Sequence, residues 1–141
     1  MSIYADTSFF VSLYLPDQFS TEAEQRIEAK PRIWLTPLHI AEWTHAVSQH
    51  VFRKEILLRE AGMANAELEH DRESGVWLEV DLPESVWRTC TQLARKHGPK
   101  LGTRTLDSLH VAAALELGAK CFWTFDERQA KLAVANGLSS S

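Results

Sequence analysis

The spacing of apolar residues divides the chain into elements. Short, unbroken apolar runs at 2–5, "RIWLT" (32–36), "VWLEV" (76–80) and "CFWTF" (121–125) have the length and composition of buried strands. Between them the spacing lengthens to that of a helix. Ile40, Trp43, Val47 and Val51 recur every three or four residues, as do Leu57, Ala61, Ala64 and Leu68 across 55–73. Val86, Cys90 and Leu93 do the same within "PESVWRTCTQLARKHG". Helix boundary signals match this pattern. Thr36 precedes Pro37 as a cap, Thr21 and Glu24 have capping-box spacing, and Asp126 with Gln129 repeats it before a last helix at 127–136. Gly98-Pro99 is a stop signal, and Gly118 closes "LDSLHVAAALELG".

The resulting order is β-α-α-β-α-α-β-α-α-β-α. Strands alternating with helices predict an α/β fold, a three-layer α/β/α sandwich on a mostly parallel sheet. Four strands are legible, and "GLSSS" leaves a fifth open. One domain is expected over 1–138, with 139–141 as a disordered tail.

The 141-residue length suits that single core. Charge adds one exclusion: 15 Lys and Arg against 19 Asp and Glu give a net charge of -4, unlike a protein that coats nucleic acid through a basic surface. Cys90 and Cys121 lie in apolar segments without metal-ligand spacing and read as reduced core thiols. No segment approaches membrane-spanning length and the N-terminus carries no charged leader, so the expected compartment is cytoplasmic.

Candidate chemistry lies in the acids. Parallel strands bring their C-terminal ends to one edge, where such folds bind ligands. Asp6 follows the first strand, Asp126 the fourth, and Glu42 lies in the second turn after the second strand. Asp107 opens the helix before the fourth strand, and chain order alone suggests that it joins them. Singly, each has an ordinary role: Asp6 and Asp126 as helix caps, Asp107 at a helix's positive end, and Glu42 in solvent. Together they would repel. Two carboxylates about 4 Å apart cost roughly 4 kcal/mol at an effective dielectric near 20, so convergence calls for protonation or a cation. All-oxygen donors without His/Cys spacing select Mg2+, with Mn2+ as a substitute.

The stretches "YADTSFF", "AEW", "TLDSLHVAAALELGA" and "FWTFDERQAKLA" resemble the four acidic motifs of the PIN-domain family, above all its VapC-type toxins. The resemblance runs from Ile3 to about Gly137. It implies a Mg2+-dependent endoribonuclease with Asp6, Glu42, Asp107 and Asp126 as its acidic quartet. By the same resemblance Asp6 and Asp107 are direct metal ligands, and Glu42 and Asp126 act directly or through water. Thr7, Ser8 and Thr124 supply orienting hydroxyls. Implied partners are an RNA substrate, a cognate antitoxin protein and a second copy of the chain, with 55–73 as the partner-binding segment.

Arg104 reads equally as an RNA phosphate contact and as a solvated loop residue. His110, one turn after Asp107, reads as a packing residue, with contact to a metal shell as the minority reading; His39 and His45 read as surface or supporting residues, and Arg128 and Lys131 as solvated, with phosphate contact as the minority reading. Trp34, Trp77 and Trp123 are expected in the core, and Trp43 and Trp87 on apolar helix stripes. The competing function is a non-catalytic metal- or nucleic-acid-binding module of the same fold. Receiver-type and haloacid-dehalogenase-like phosphoryl chemistry is disfavoured, because Asp126 stands where the first needs Lys and Ser8 where the second needs Asp.

Overall fold

The computed structural model describes residues 2–140. Its elements are β1 (Ser2–Ala5), α1 (Thr7–Tyr14), α2 (Ser20–Ile27), β2 (Arg32–Leu35), α3 (Pro37–Phe52) and α4 (Leu58–Glu73). There follow β3 (Leu78–Glu79), α5 (Val86–Leu101), α6 (Thr105–Glu116), β4 (Cys121–Trp123), α7 (Glu127–Ala135) and β5 (Ser139–Ser140). The strands form one sheet in the order β3-β2-β1-β4-β5, and every pairing is parallel.

Alternation along the strands builds two cores. Ile3, Ala5, Ile33, Leu35, Cys121 and Trp123 face α1–α4, while Tyr4, Trp34 and Phe122 face α5–α7. The result is the expected α/β/α sandwich. Chain order runs outward from β1 to β2 and β3 on one side, then to β4 and β5 on the other. The crevice outside the ends of β1 and β4 is therefore a topological switch point, where adjacent connections leave toward opposite faces.

Several element ends differ from expectation. Helix α5 runs through Gly98-Pro99 and stops at Gly102, whose φ of 65° allows the left-handed cap that an L-residue resists. Pro99 sits in the last turn, where its missing N–H removes only one ladder bond. Helix α2 forms no Thr21/Glu24 box; its entry is held by Asp17, whose carboxylate accepts the Phe19 N–H at 2.7 Å. Helix α4 begins at Leu58 rather than at residue 55, with Glu60 accepting the Leu57 N–H at 2.9 Å. Strand β3 is shorter than 76–80 and β4 is shorter than 121–125. The predicted tail also changes: Ser139 and Ser140 pair with Cys121 and Phe122, anchored by buried Leu138, whereas Ser141 lies outside the described residues. Trp87 is 59% exposed, because the inward face of α5 is already filled by Val86, Cys90 and Leu93; the other four tryptophans are buried. No helix among the described residues is long and apolar enough to cross a membrane.

His39 is not a surface residue. It is fully buried at the start of α3, where Nδ1 accepts the Thr36 N–H at 3.0 Å and Nε2 reaches the Ala5 carbonyl at 2.7 Å. The first contact makes Nδ1 an acceptor, so Nε2 carries the proton and donates to Ala5. His39 thereby ties α3 to the end of β1. Burial, reinforced by nearby His110, lowers its pKa to about 3. The unfolded chain, with His near 6.5, binds the extra proton first, so stability from His39 is intact above that value and falls as pH drops toward 3. The expected slope reaches about 1.4 kcal/mol per pH unit. Urea midpoints at pH 7 and pH 5 check it: the drop should shrink in His39→Gln, which keeps a neutral polar group there.

Candidate active site

Asp6 leaves β1 and caps α1. Its Oδ1 accepts the Ser8 hydroxyl at 2.5 Å and the Phe9 N–H at 3.3 Å, and its Oδ2 accepts the Thr124 hydroxyl at 2.6 Å. Only 1% of its surface is exposed. Burial pushes its carboxyl above the ordinary range, against the hydrogen bonds from Ser8, Thr124 and the Phe9 N–H. Asp126 leaves β4 and caps α7, accepting the Gln129 N–H at 3.0 Å. Its own N–H donates to the Thr124 oxygen at 2.9 Å. One hydroxyl therefore couples the two carboxylate-bearing turns at the switch point. Each Asp is indeed a helix cap, but both caps open onto the same cleft.

Glu42 reaches the cleft from the second turn of α3. Its Oε1 accepts the Thr7 hydroxyl at 2.8 Å and also a close contact from His110 Nε2. Burial would raise its pKa, but the His110 and Thr7 contacts outweigh burial and hold it below the ordinary value. Asp107, only 6% exposed in the first turn of α6, accepts the Arg104 N–H at 2.8 Å. Chain order alone had suggested its place, and the structure puts it on the same cleft wall.

That cleft has a volume of about 460 Å³ and is lined by all four acids with Thr7, Ser8, Arg104, His110 and Gln129. Thr124 lies beneath it through Asp6. A second groove of about 450 Å³ shares Thr7, Ser8, Glu42 and Asp126 and adds Phe19 and Phe125, whose rings stack 4.5 Å apart. Arg128 and Lys131 are exposed on α7, and Lys131 pairs loosely with Glu127 at 3.6 Å. His45 is exposed on α3.

The acids share a cleft without closing into a ligand cage: among the described residues no group of three His, Cys, Asp or Glu side chains is arranged to hold a metal ion. Their crowding is relieved by protein donors. Hydroxyls of Ser8 and Thr124 serve Asp6, Thr7 and His110 serve Glu42, and backbone N–H groups serve Asp107 and Asp126. The donor set still fits a hard divalent cation. Every acidic group is an oxygen donor, and Gln129 Oε1 adds another, buried beside the cleft without a hydrogen-bond partner among the described residues.

Gln129 was legible in the sequence only as half of a capping box. His110, one turn after Asp107 on α6, carries the spacing that allows a contact with the acids, and it meets Glu42 at the cleft wall.

The chain has counterparts among known proteins in family and in fold. The PIN domain family model matches residues 3–135. Among solved structures, the chain is similar to VapC20 of Mycobacterium tuberculosis, described as a Sarcin-Ricin loop cleaving toxin, with TM-score 0.70, 18% identity and 96% of each chain covered. FitAcB from Neisseria gonorrhoeae gives TM-score 0.68 and 16% identity over 98% of this chain and 95% of that one. VapBC2 from Rickettsia felis, bound to a DNA fragment from its promoter, gives 0.67 and 16% over 100% and 98%. A comparison with curated protein sequences gave no match. At these identities the structural likeness speaks for the fold.

Proposed function

Because this chain belongs to the PIN-domain family, we propose that it is a divalent-cation-dependent endoribonuclease and the toxin of a toxin–antitoxin pair. One observation carries the reading: four carboxylates from four separate segments line one cleft at the switch point of a parallel sheet. Asp6 and Asp107 are the proposed direct holders of Mg2+, or of Mn2+ in its place, with Glu42 and Asp126 acting directly or through water. When bound, the cation supplies Lewis-acid stabilisation of a phosphodiester and lowers the pKa of water.

The protein's own groups do the rest. Glu42 or Asp126 orients and deprotonates the attacking water. Thr7, Ser8 and Thr124 hold the carboxylates in place through the hydrogen bonds described above. Arg104, exposed at the cleft rim, contacts an RNA phosphate. With a net charge of -4, this protein repels RNA except where the acids are neutralised, which makes the loaded cleft the site of engagement.

The proposed partners are a cognate antitoxin and a second copy of the chain, in a cytoplasmic setting. The α3–α4 hairpin supports this. Phe52 is 81% exposed, and Leu57, Leu58 and Met63 are exposed beside it, an apolar set that a lone domain has little reason to display.

The second reading is a non-catalytic metal- or nucleic-acid-binding module of the same fold, since among the described residues no three His, Cys, Asp or Glu side chains are arranged to hold a metal ion. Incubating purified protein with total RNA and Mg2+, with and without EDTA, separates the two. The nuclease reading expects cleavage that EDTA abolishes and Mn2+ restores; calorimetrically tight Mn2+ binding with intact RNA would establish the module instead.

A further inference from the structure

We propose that Tyr4 and His110 form a buried positioning pair that selects which oxygen of Glu42 is offered to the reacting groups. The inference rests on the nuclease reading above and deepens it. Tyr4 is fully buried on β1 and lines no part of the cleft, so it acts only through His110, which is 2% exposed on α6 at the cleft wall. Their side chains meet at 2.7 Å between the Tyr4 hydroxyl and His110 Nδ1, and His110 Nε2 contacts Glu42 Oε1.

The chemistry of the three groups orders the protons. A carboxylate only accepts, so Nε2 must carry the hydrogen that faces Glu42. In a neutral imidazole Nδ1 is then the acceptor, and the Tyr4 hydroxyl donates to it. Tyr4 thus fixes the tautomer of His110, and His110 fixes the carboxylate.

The Thr7 hydroxyl donates to the same Oε1 at 2.8 Å. Two donors therefore converge on one oxygen, and among the described residues nothing bonds the other, Oε2. A carboxylate oxygen already accepting two hydrogen bonds has little basicity left. Oε2 keeps it, and Glu42 lines the cleft. The pair consequently presents Oε2 as the atom that takes a proton from water or holds a cation. An ordinary buried Tyr–His contact would end on backbone or on another core group. This one ends on a half-buried carboxylate at the cleft wall.

The test has one readout independent of activity. Long-range nitrogen–proton spectra of the imidazoles in metal-free protein should show His110 as the Nε2–H tautomer, and a mixture of tautomers in Tyr4→Phe. In RNA cleavage, Tyr4→Phe should lower kcat about 10-fold with KM unchanged, the size expected for a group acting through another. Added to His110→Leu, the same change should cost nothing more, since the pair acts as one unit. His110→Gln, whose amide nitrogen stands in for Nε2–H, should return kcat to within about threefold of wild type, and it serves if His110→Leu fails to fold. An Nδ1–H tautomer or an imidazolium in the wild type at pH 7.5 overturns the proposal, as do additive losses from the two substitutions. If wild-type protein cleaves no RNA with any divalent cation, the nuclease reading fails, and the spectra alone decide whether Tyr4 sets the tautomer.

Discussion

Asp6→Asn is expected to abolish RNA cleavage, by at least about 100-fold, and to leave the fold as stable as before or slightly more so. Asp6 is the acid at which burial and function conflict most. Its carboxyl is almost sealed from water and its pKa is raised, so keeping it ionised at neutral pH costs free energy. The amide relieves that cost. Its oxygen can still accept from Ser8 and the Phe9 N–H, so the α1 cap survives, while the negative charge needed to hold a cation is lost. Cleavage assays beside thermal melts of both proteins check the two halves. Wild-type rates in the variant would remove Asp6 from the site, and a large fall in melting temperature would show that its role is mainly structural.

Thr124→Val gives the second large effect, and here stability and activity fall together. The Thr124 hydroxyl donates to Asp6 Oδ2 and accepts the Asp126 N–H, so a methyl of similar shape strands one buried carboxylate oxygen and one backbone donor. Each stranded group costs about 1–3 kcal/mol, and a loss of roughly 2–6 kcal/mol is expected in urea unfolding. Cleavage should drop because the turns carrying Asp6 and Asp126 are no longer held at a common spacing. Thr124→Ser, which keeps the hydroxyl, should recover most of both losses. An unchanged urea midpoint in the valine variant would mean that the two turns are held apart from this bridge.

The contrast between these two residues shows what kind of information lies in the chain. Asp6 announces itself, since an acid following an apolar strand and preceding a helix is visible in seven residues. Thr124 is marked as an orienting hydroxyl only by the family resemblance; by its own pattern it is a strand residue, until β4 ends two positions earlier than the run 121–125 suggests. That shortening turns the hydroxyl out of the ladder and toward Asp6, 118 residues away in sequence. Trp87 errs the other way. Helical spacing put it on an apolar stripe, but Val86, Cys90 and Leu93 already fill the inward face of α5.

Local order along the chain therefore determined a great deal. Alternating apolar runs, caps at Thr36 and Asp126 and the strand–helix sequence dictate a parallel α/β sandwich, and with it the edge at which Asp6, Glu42 and Asp126 emerge. These features are encoded between near neighbours, where side-chain period and hydrogen-bond chemistry act directly. For Asp107 the chain offered only its order and a family resemblance, and the fold brings it to the cleft; tertiary structure alone decided that one hydroxyl couples two acids, that His110 faces Glu42, and that Gln129 lies beside the cleft. Those outcomes depend on strand register and on how α6 lies across the sheet, set by the packing of the whole core, and no local pattern specifies a distance between residues a hundred positions apart.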